Sequence, residues 1–240
     1  MARPDLRRND EMRKVKIIKD FTKYAEGSVL IKVGETHVLC NASIEDSVPP
    51  YLRGTGKGWV TAEYSMLPRS THTRNRRDIS KLKMSPRSTE IQRLIGRALR
   101  SVTDLEALGE RSIIVDCDVL QADGGTRCAS ITGAYIALAL ALKKLVADGE
   151  LEKVPLNASV AAISAGIYND EAVLDLCYDE DSNAAVDFNV VMTSTGDIIE
   201  IQGTGEERPF KKAEMDKMIS LAKKGISKLS REQAKIVGEF

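Results

Sequence analysis

Apolar and polar residues alternate in several short runs, and a period of two predicts β-strands. Two such runs in Ser28–Cys40 flank Gly34-Glu35, which predicts a hairpin whose second strand continues through Asn41–Glu45. Further strands are predicted in both halves of the chain, over Trp59–Ser65, Arg111–Gln121, Pro155–Gly166, Glu171–Cys177, Ala185–Thr193 and Ile198–Gly203.

Three other segments show the period of a helix. Ser88–Leu105 has one apolar stripe, Ala129–Ala147 is apolar or small on nearly every side, and Lys211–Leu229 is amphipathic. An apolar face all round predicts that the second helix is buried at the centre of the molecule. The order of elements predicts two half-units, each a sheet plus a helix, packed into a single α+β domain over residues 1–240.

One long segment, Leu67–Ser85, is polar and cationic and shows neither the alternation of a strand nor the periodicity of a helix. It predicts a long loop, and loops of this length are usually functional or disordered.

Composition narrows the class of protein. With 42% apolar and 29% charged residues among 240, the chain is not of a disordered type. Its longest apolar stretch, Ile131–Leu142, is too short to cross a bilayer and ends in Lys143-Lys144, so we expect no membrane protein. No apolar signal core follows the charged N-terminus, and the four scattered cysteines favour reduced thiols over a zinc site. These features predict a cytoplasmic protein.

Charge is strongly segregated although the formal net charge is zero. The stretch Arg69–Arg100 carries ten basic residues and two acidic ones, whereas Val154–Glu207 carries eleven carboxylates and no basic residue. The segment from Arg208 onward is basic again. Such blocks indicate one face suited to a polyanion and another region suited to a cation, although a single charged run is often only solvated surface.

The segment Asp123–Arg127 (DGGTR) lies between a predicted strand and the predicted buried helix. Two glycines let backbone N–H groups approach an anion, and the helix N-terminus adds unpaired donors and partial positive charge. Thr126 adds a hydroxyl, and Arg127 adds a planar cation suited to phosphate. The same residues would also suit an ordinary glycine turn with a capped helix.

Candidate cations precede and follow the start of the first predicted helix. Arg87 stands just ahead of the helix, where the helix dipole disfavours a cation, so it either meets an anion or is an ordinary surface residue. Arg93 and Arg97 lie one turn apart on the polar face and either line an anion site or are solvated.

Two aspartates are the candidate acidic site. Asp187 is flanked by apolar strand residues, and Asp181 precedes it by six residues, across a predicted hairpin turn. Two carboxylates that meet at a strand end could bind Mg²⁺, which prefers oxygen ligands and keeps several waters. Taken alone, Asp179, Glu180 and Asp181 also suit an ordinary acidic turn.

Six segments together resemble the ribonuclease PH family of bacterial phosphate-dependent 3′→5′ exoribonucleases, which are also called tRNA nucleotidyltransferases. They are Met1–Arg7 (MARPDLR), Gly56–Tyr64 (GKGWVTAEY), Arg87–Arg97 (RSTEIQRLIGR), Leu120–Arg127 (LQADGGTR), Val186–Val191 (VDFNVV) and Glu200–Thr204 (EIQGT). They run nearly end to end in the family's order.

The resemblance implies a ribosomal-protein-S5-domain-2-like βαβα fold and a homohexameric ring built as a trimer of dimers. It implies an enzyme that trims the 3′ ends of tRNA precursors, and of ribosomal RNA as a further substrate, with inorganic phosphate as co-substrate and nucleoside diphosphates as products. The alternatives are a catalytically silent RNA-binding ring subunit and a hydrolytic nuclease.

The resemblance also implies roles for residues. Phosphate would be bound by Arg87, Gly125, Thr126 and Arg127. Asp181 and Asp187 would be the catalytic or Mg²⁺-binding carboxylates, and which of them acts as a general acid stays open. The expected RNA-binding arginines are Arg69, Arg74, Arg76, Arg77, Arg93 and Arg97.

Overall fold

A computed structural model describes residues 3–238, so Met1 and Ala2 of the first family segment and residues 239–240 of the expected domain lie outside it. Within that range the chain forms two β-sheets. The first sheet has five strands, β1 (Val15–Lys19), β2 (Gly27–Val33), β3 (Thr36–Glu45), β4 (Trp59–Met66) and β5 (Ser112–Gln121). Their order is β1-β2-β3-β5-β4, with β4 parallel to β5 and the other neighbours antiparallel.

The second sheet is smaller and antiparallel throughout. It contains β6 (Val160–Tyr168), β7 (Glu171–Leu174), β8 (Val186–Thr193) and β9 (Ile198–Gly205), in the order β7-β6-β8-β9. The strand β8 therefore begins close to the end of β6, and its far end leads into the turn to β9.

Five α-helices accompany the sheets in the described part of the chain. They are α1 (Pro86–Arg100), α2 (Leu105–Leu108), α3 (Thr126–Ala147), α4 (Tyr178–Asp181) and α5 (Lys212–Val237). Helix α1 begins where Ser85 caps it by accepting a hydrogen bond from the N–H of Ser88, and proline fits the first helical position because its missing N–H would have no partner there.

Helix α3 lies between the two sheets and packs against β2, β3 and β6. Its small residues allow close approach, since a Cβ on Gly133 would come within 2.8 Å of the Cys40 sulfur and of an Ile31 methyl. The helix is long and apolar enough to span a bilayer, but 78% of its apolar window is buried inside this protein. Its hydrophobicity is therefore accounted for by its place between the sheets.

The predicted α+β class with a ribosomal-protein-S5-domain-2-like fold is confirmed, as are the hairpin at Gly34-Glu35 and the buried central helix. All four cysteines are free and buried, as expected. The predicted limits of the helices were less accurate. Helix α1 ends at Arg100 instead of Leu105, α3 begins three residues earlier than predicted, and α5 continues to Val237.

The predicted hairpin between Asp181 and Asp187 is wrong. Strand β6 lies between β7 and β8, and the segment that leads to β8 contains the one-turn helix α4. Glu180 explains this turn, because its carboxylate accepts a hydrogen bond from the N–H of Cys177 and so caps the helix. Strand β1 was not predicted either.

Candidate active site

The turn at Gly124 and Gly125 connects β5 to α3 and has a backbone that favours glycine. The φ angles of the two residues are +72° and +66°, and a Cβ on Gly124 would lie 2.6 Å from the carbonyl oxygen of Leu176. Helix α3 starts at Thr126 without a side-chain cap. Its first N–H groups consequently have no hydrogen-bond acceptor among the described residues, and they are available to an anion.

A cavity of about 420 Å³ opens in front of this helix end. Four of the predicted site residues line it together: Arg87, Gly125, Thr126 and Asp181. They come from the start of α1, the start of α3 and the end of α4, so the fold brings three separate segments of the sequence to one place. The cavity thus combines a cation, a helix N-terminus and a carboxylate.

Tyr64 fixes the hydroxyl of Thr126 at the floor of this cavity. The two side-chain oxygens are 2.9 Å apart, and both residues are buried. Burial raises the pKa of Tyr64, although Thr126 and the nearby guanidinium of Arg87 oppose the rise. The tyrosine therefore stays a neutral hydrogen-bonding group at neutral pH and holds Thr126 in one orientation.

The two candidate carboxylates are electrostatically coupled. Burial raises the pKa of Asp181, and the positive charges of Arg87 and Arg127 oppose this rise. The pKa of Asp187 is raised to about 6, mainly by burial and further by the negative charge of Asp181. A carboxyl group with this pKa keeps a proton on part of the molecules near neutral pH, as a general acid must.

Asn189 orients Asp187 from the neighbouring inward position of β8. Its side-chain amide donates to both carboxylate oxygens, at 3.1 and 3.3 Å, while its carbonyl oxygen accepts from the Cys128 thiol at 3.2 Å. Cys128 belongs to the first turn of α3, so this chain of hydrogen bonds ties Asp187 to the same helix end as Thr126.

The carboxylates suit a magnesium ion by their chemistry. No group of three or more metal-ligating side chains occurs in the described range 3–238, so a protein cage of carboxylates is not present there. Mg²⁺ typically takes one or two carboxylates and completes its shell with water and substrate phosphate oxygens. Asp181 and Asp187, beside a cavity able to hold phosphate, fit that pattern.

Arg127 lies at the edge of this arrangement and does not line the cavity. Its guanidinium donates to the side-chain oxygen of Gln202 at 2.7 Å and reaches Glu90 at 3.4 Å. It is still close enough to Asp181 and Asp187 to oppose the rise in their pKa. Arg127 therefore contributes positive charge to the carboxylate pair while it is held by β9 and α1.

The predicted RNA-binding arginines are spread over two places. The loop arginines Arg69, Arg74, Arg76 and Arg77 are exposed and do not line the cavity, whereas their neighbours Thr71, His72, Thr73 and Asn75 do. The rings of His72 and Tyr178 lie 6.0 Å apart at its mouth. The loop thus covers the cavity with polar groups and presents its cations to solvent.

The two α1 arginines differ from each other. Both are exposed, but Arg97 forms an ion pair with Glu200 of β9 through three hydrogen bonds, with N–O distances of 2.9 to 3.1 Å. Both line a second groove, next to Trp59, and not the cavity in front of α3.

Three arginines near the N-terminus support the site, a role that the sequence patterns did not indicate. Arg13 binds the Asp175 carboxylate through Nη2 at 2.7 Å and through Nε at 3.1 Å, and it also contacts the carbonyl oxygen of Asp123. Arg3 and Arg7 both reach the buried carboxylate of Glu180. The glycine turn and α4 are therefore held by the same N-terminal segment.

The charge pattern of the sequence is consistent with these contacts but does not identify the partners. The N-terminal segment carries several arginines, and the region Asp175–Asp181 is acidic. A charge count cannot show that Arg3 and Glu180 are both fully buried, because they are 177 residues apart.

Family models match most of the chain. Residues 11–144 match domain 1 of the 3′ exoribonuclease family, RNase PH, and residues 158–225 match domain 2 of the same family. The first match covers β1 to α3, and the second covers the second sheet and the start of α5.

Several solved structures have the same fold. A crystal structure of rice (Oryza sativa) Rrp46 shares 18% sequence identity with this chain, with a TM-score of 0.79, and the match covers 98% of this chain and 100% of that one. The Archaeoglobus fulgidus exosome with RNA bound to the active site gives 22% identity, a TM-score of 0.83 and coverage of 96% and 92%. An archaeal exosome core gives 21% identity and a TM-score of 0.74, and the match covers 98% of this chain and 91% of that one.

Proposed function

The chain belongs to the 3′ exoribonuclease (RNase PH) family, and from that premise we propose that it is a phosphate-dependent 3′→5′ exoribonuclease, a tRNA nucleotidyltransferase. Its substrates would be the 3′ ends of tRNA precursors, with ribosomal RNA as a further substrate. The observation that carries the proposal is the cavity shared by Arg87, the N-terminus of α3 and Asp181. An anion in this cavity would meet the Arg87 guanidinium and the free N–H groups of α3, next to the carboxylate pair.

Inorganic phosphate would occupy this cavity as the nucleophile. The guanidinium of Arg87, the N–H groups at Gly125 and Thr126 and the Thr126 hydroxyl would bind its oxygens, and Arg127 would add positive charge. One phosphate oxygen attacks the last phosphodiester of the RNA, and the bond from phosphorus to the 3′ oxygen breaks. A nucleoside diphosphate leaves, and the RNA is one nucleotide shorter.

Two anions must meet in this reaction, so positioning and charge neutralisation account for most of the catalysis. The departing 3′ oxygen needs a proton, and the attacking phosphate loses one. A pKa of about 6 suits Asp187 to donate the first proton, and the raised pKa of Asp181 makes it the second candidate. The alternative role for both carboxylates is deprotonated: Mg²⁺ held by Asp181 and Asp187 would then supply charge neutralisation at the scissile phosphate instead.

The exposed loop arginines would bind the RNA backbone. Arg69, Arg74, Arg76 and Arg77 are exposed to solvent, which favours contacts to phosphate without base recognition. Arg93 would extend this surface, whereas Arg97 would first have to leave Glu200.

We further propose a cytoplasmic homohexameric ring, a trimer of dimers. The alternative is a silent RNA-binding subunit of a mixed ring, and the likeness to two exosome structures favours it. The cavity lined by Arg87, Gly125, Thr126 and Asp181 favours an active enzyme, because a scaffold would not need a phosphate site.

One assay separates these functions. RNA with a defined 3′ end is incubated with Mg²⁺, with and without inorganic phosphate, and the released nucleotides are identified. Diphosphates that appear only with phosphate support the proposal, monophosphates indicate hydrolysis, and no release indicates a silent subunit. Arg87→Ala should abolish release, while Arg53→Ala, in an exposed loop outside the cavity, should not change it.

A further inference from the structure

A second cavity, of about 580 Å³, lies at the other end of the smaller sheet. It is bounded by α3, by the last turns of α5 and by the segments before β6 and after β8, which contribute Ser159 and Ser194. Asp187 and Thr193 are six residues apart on β8, so about 20 Å of strand separate this cavity from the carboxylate pair. Its volume is within the usual range for small-molecule sites.

Three of the residues that line this cavity have a buried polar atom without a hydrogen-bond partner in the part of the chain that the structure describes. The Tyr135 hydroxyl and the Gln233 side-chain oxygen belong to fully buried residues, and neither has a hydrogen-bond partner in the part of the chain that the structure describes. Ser230 is only partly buried, but its hydroxyl is also buried and without a hydrogen-bond partner among the described residues. A buried polar group without a partner costs free energy, so three around one cavity indicate a place where something polar is bound.

Gln233 shows that the orientation of these atoms is fixed. Its side-chain N–H₂ group donates to the carbonyl oxygens of Thr132 and Val160, at 3.1 and 2.9 Å. Both donor hydrogens are therefore used inside the protein, and the amide oxygen must face the other way. Burial raises the pKa of Tyr135, so its hydroxyl keeps its proton and can donate.

Arg231 adds positive charge at the rim. Its Nε donates to the Ser227 carbonyl oxygen at 3.2 Å, and no carboxylate within residues 3–238 pairs with the guanidinium. Ala234 and Val237 supply an apolar wall. The lining therefore combines one cation, several hydroxyls, one fixed acceptor and a small apolar surface.

We propose that this cavity binds a small phosphorylated sugar, with the phosphate on Arg231 and the sugar hydroxyls on Tyr135, Ser230 and Gln233. Several hydroxyl and amide groups suit a polyol, which both donates and accepts hydrogen bonds. Arg231, the one cation among the described lining residues, suits one phosphate group, and the apolar wall suits the carbon face of a sugar ring. The site is independent of the proposed exoribonuclease activity.

Ribose 5-phosphate is the probe for this site, and isothermal titration calorimetry on the full chain is the measurement. The expected result is one saturable site per chain that binds ribose 5-phosphate more tightly than ribose or inorganic phosphate. Arg231→Ala should weaken binding at least about tenfold, and Tyr135→Phe, which removes only the hydroxyl, should weaken it several-fold. Lys235→Ala, on the same helix but paired with Glu232, is the matched control and should bind normally.

The active-site cavity could also take a phosphate, so the titration is repeated with Arg87→Ala. Binding retained in Arg87→Ala and lost in Arg231→Ala supports the proposal. The reverse pattern, no saturable binding up to about 10 mM, or equal affinity for inorganic phosphate would overturn it. These results do not depend on whether the protein degrades RNA.

Discussion

Arg3 and Glu180 form an ion pair that is closed off from solvent. The Nε atom of Arg3 lies 2.5 Å from one carboxylate oxygen and Nη2 lies 2.7 Å from the other, and the two side chains are 2% and 0% exposed. Glu180 also caps α4, the helix that ends at Asp181. A residue at the start of the chain thereby positions a carboxylate of the active-site cavity.

Replacing Arg3 should destabilise the protein and lower its activity. Arg3→Ala leaves the buried Glu180 carboxylate with Arg7, at 3.3 Å, as its one remaining cationic partner within the described residues, which should cost about 3 kcal/mol of unfolding free energy. Urea denaturation measures the loss, and kcat for RNA should fall because α4 loses its support. Arg8→Ala removes an exposed arginine of the same segment and should change stability by less than about 0.5 kcal/mol. Equal effects of the two substitutions would contradict the role of the pair.

Asp187 should make stability depend on pH. Its folded-state pKa of about 6 is above its ordinary value of 3.8, so the stabilisation from holding its proton is complete below pH 3.8 and is lost as the pH rises through 6. The full effect is at most about 3 kcal/mol. Asp187→Asn should therefore be more stable than the wild type at pH 8, and the difference should shrink toward pH 4. Thermal unfolding at several pH values tests this, and a difference that does not change with pH would contradict it.

The glycine turn should tolerate no side chain at Gly124. An alanine there would combine a φ of +72° with a Cβ 2.6 Å from a backbone oxygen, which should cost about 2–4 kcal/mol and raise KM for phosphate. Gly149 is the matched control, because its φ is +79° but a Cβ would meet nothing within 4 Å. Gly149→Ala should cost only about 1 kcal/mol and leave KM unchanged. The same loss in both variants would show that the close approach at Gly124 has no effect.

The loop arginines should matter for long RNA and little for short RNA. Changing Arg69, Arg74, Arg76 and Arg77 to alanine should raise KM for a tRNA precursor far more than for a short oligonucleotide, and should flatten the salt dependence of binding. A quadruple alanine variant of the exposed lysines Lys212, Lys217, Lys223 and Lys228 on α5 removes the same charge elsewhere. If that variant loses as much affinity, or if both substrates are affected equally, the loop is not the RNA-binding surface.

Local patterns were enough to predict most of the fold. The alternation around Gly34 and the apolar run of α3 gave the first hairpin and the central helix, because each depends on neighbours in the sequence. The one-turn helix α4 was missed because four residues carry no period and its cap depends on Glu180, a residue held by distant arginines.

The candidate site was predicted in part, for a similar reason. The residues Arg87, Gly125, Thr126 and Asp181 do line one cavity. The attachment of Arg127 to Gln202 and Glu90, and of Arg97 to Glu200, depends on where β9 lies relative to the helices. Sequence patterns show which residues are charged, but they do not show a partner that lies 37 to 103 residues away, because the packing of the sheets and helices decides which side chains meet.

The central claim is that inorganic phosphate is the nucleophile, and isotope labelling tests it most directly. The protein is incubated with a 3′-labelled RNA and ¹⁸O-labelled inorganic phosphate, and the masses of the released nucleotides are determined by mass spectrometry. The account predicts nucleoside diphosphates whose terminal phosphate carries all of the heavy oxygen, with none formed by Arg87→Ala. Release of unlabelled nucleoside monophosphates, or diphosphates formed equally well by Arg87→Ala, would contradict it.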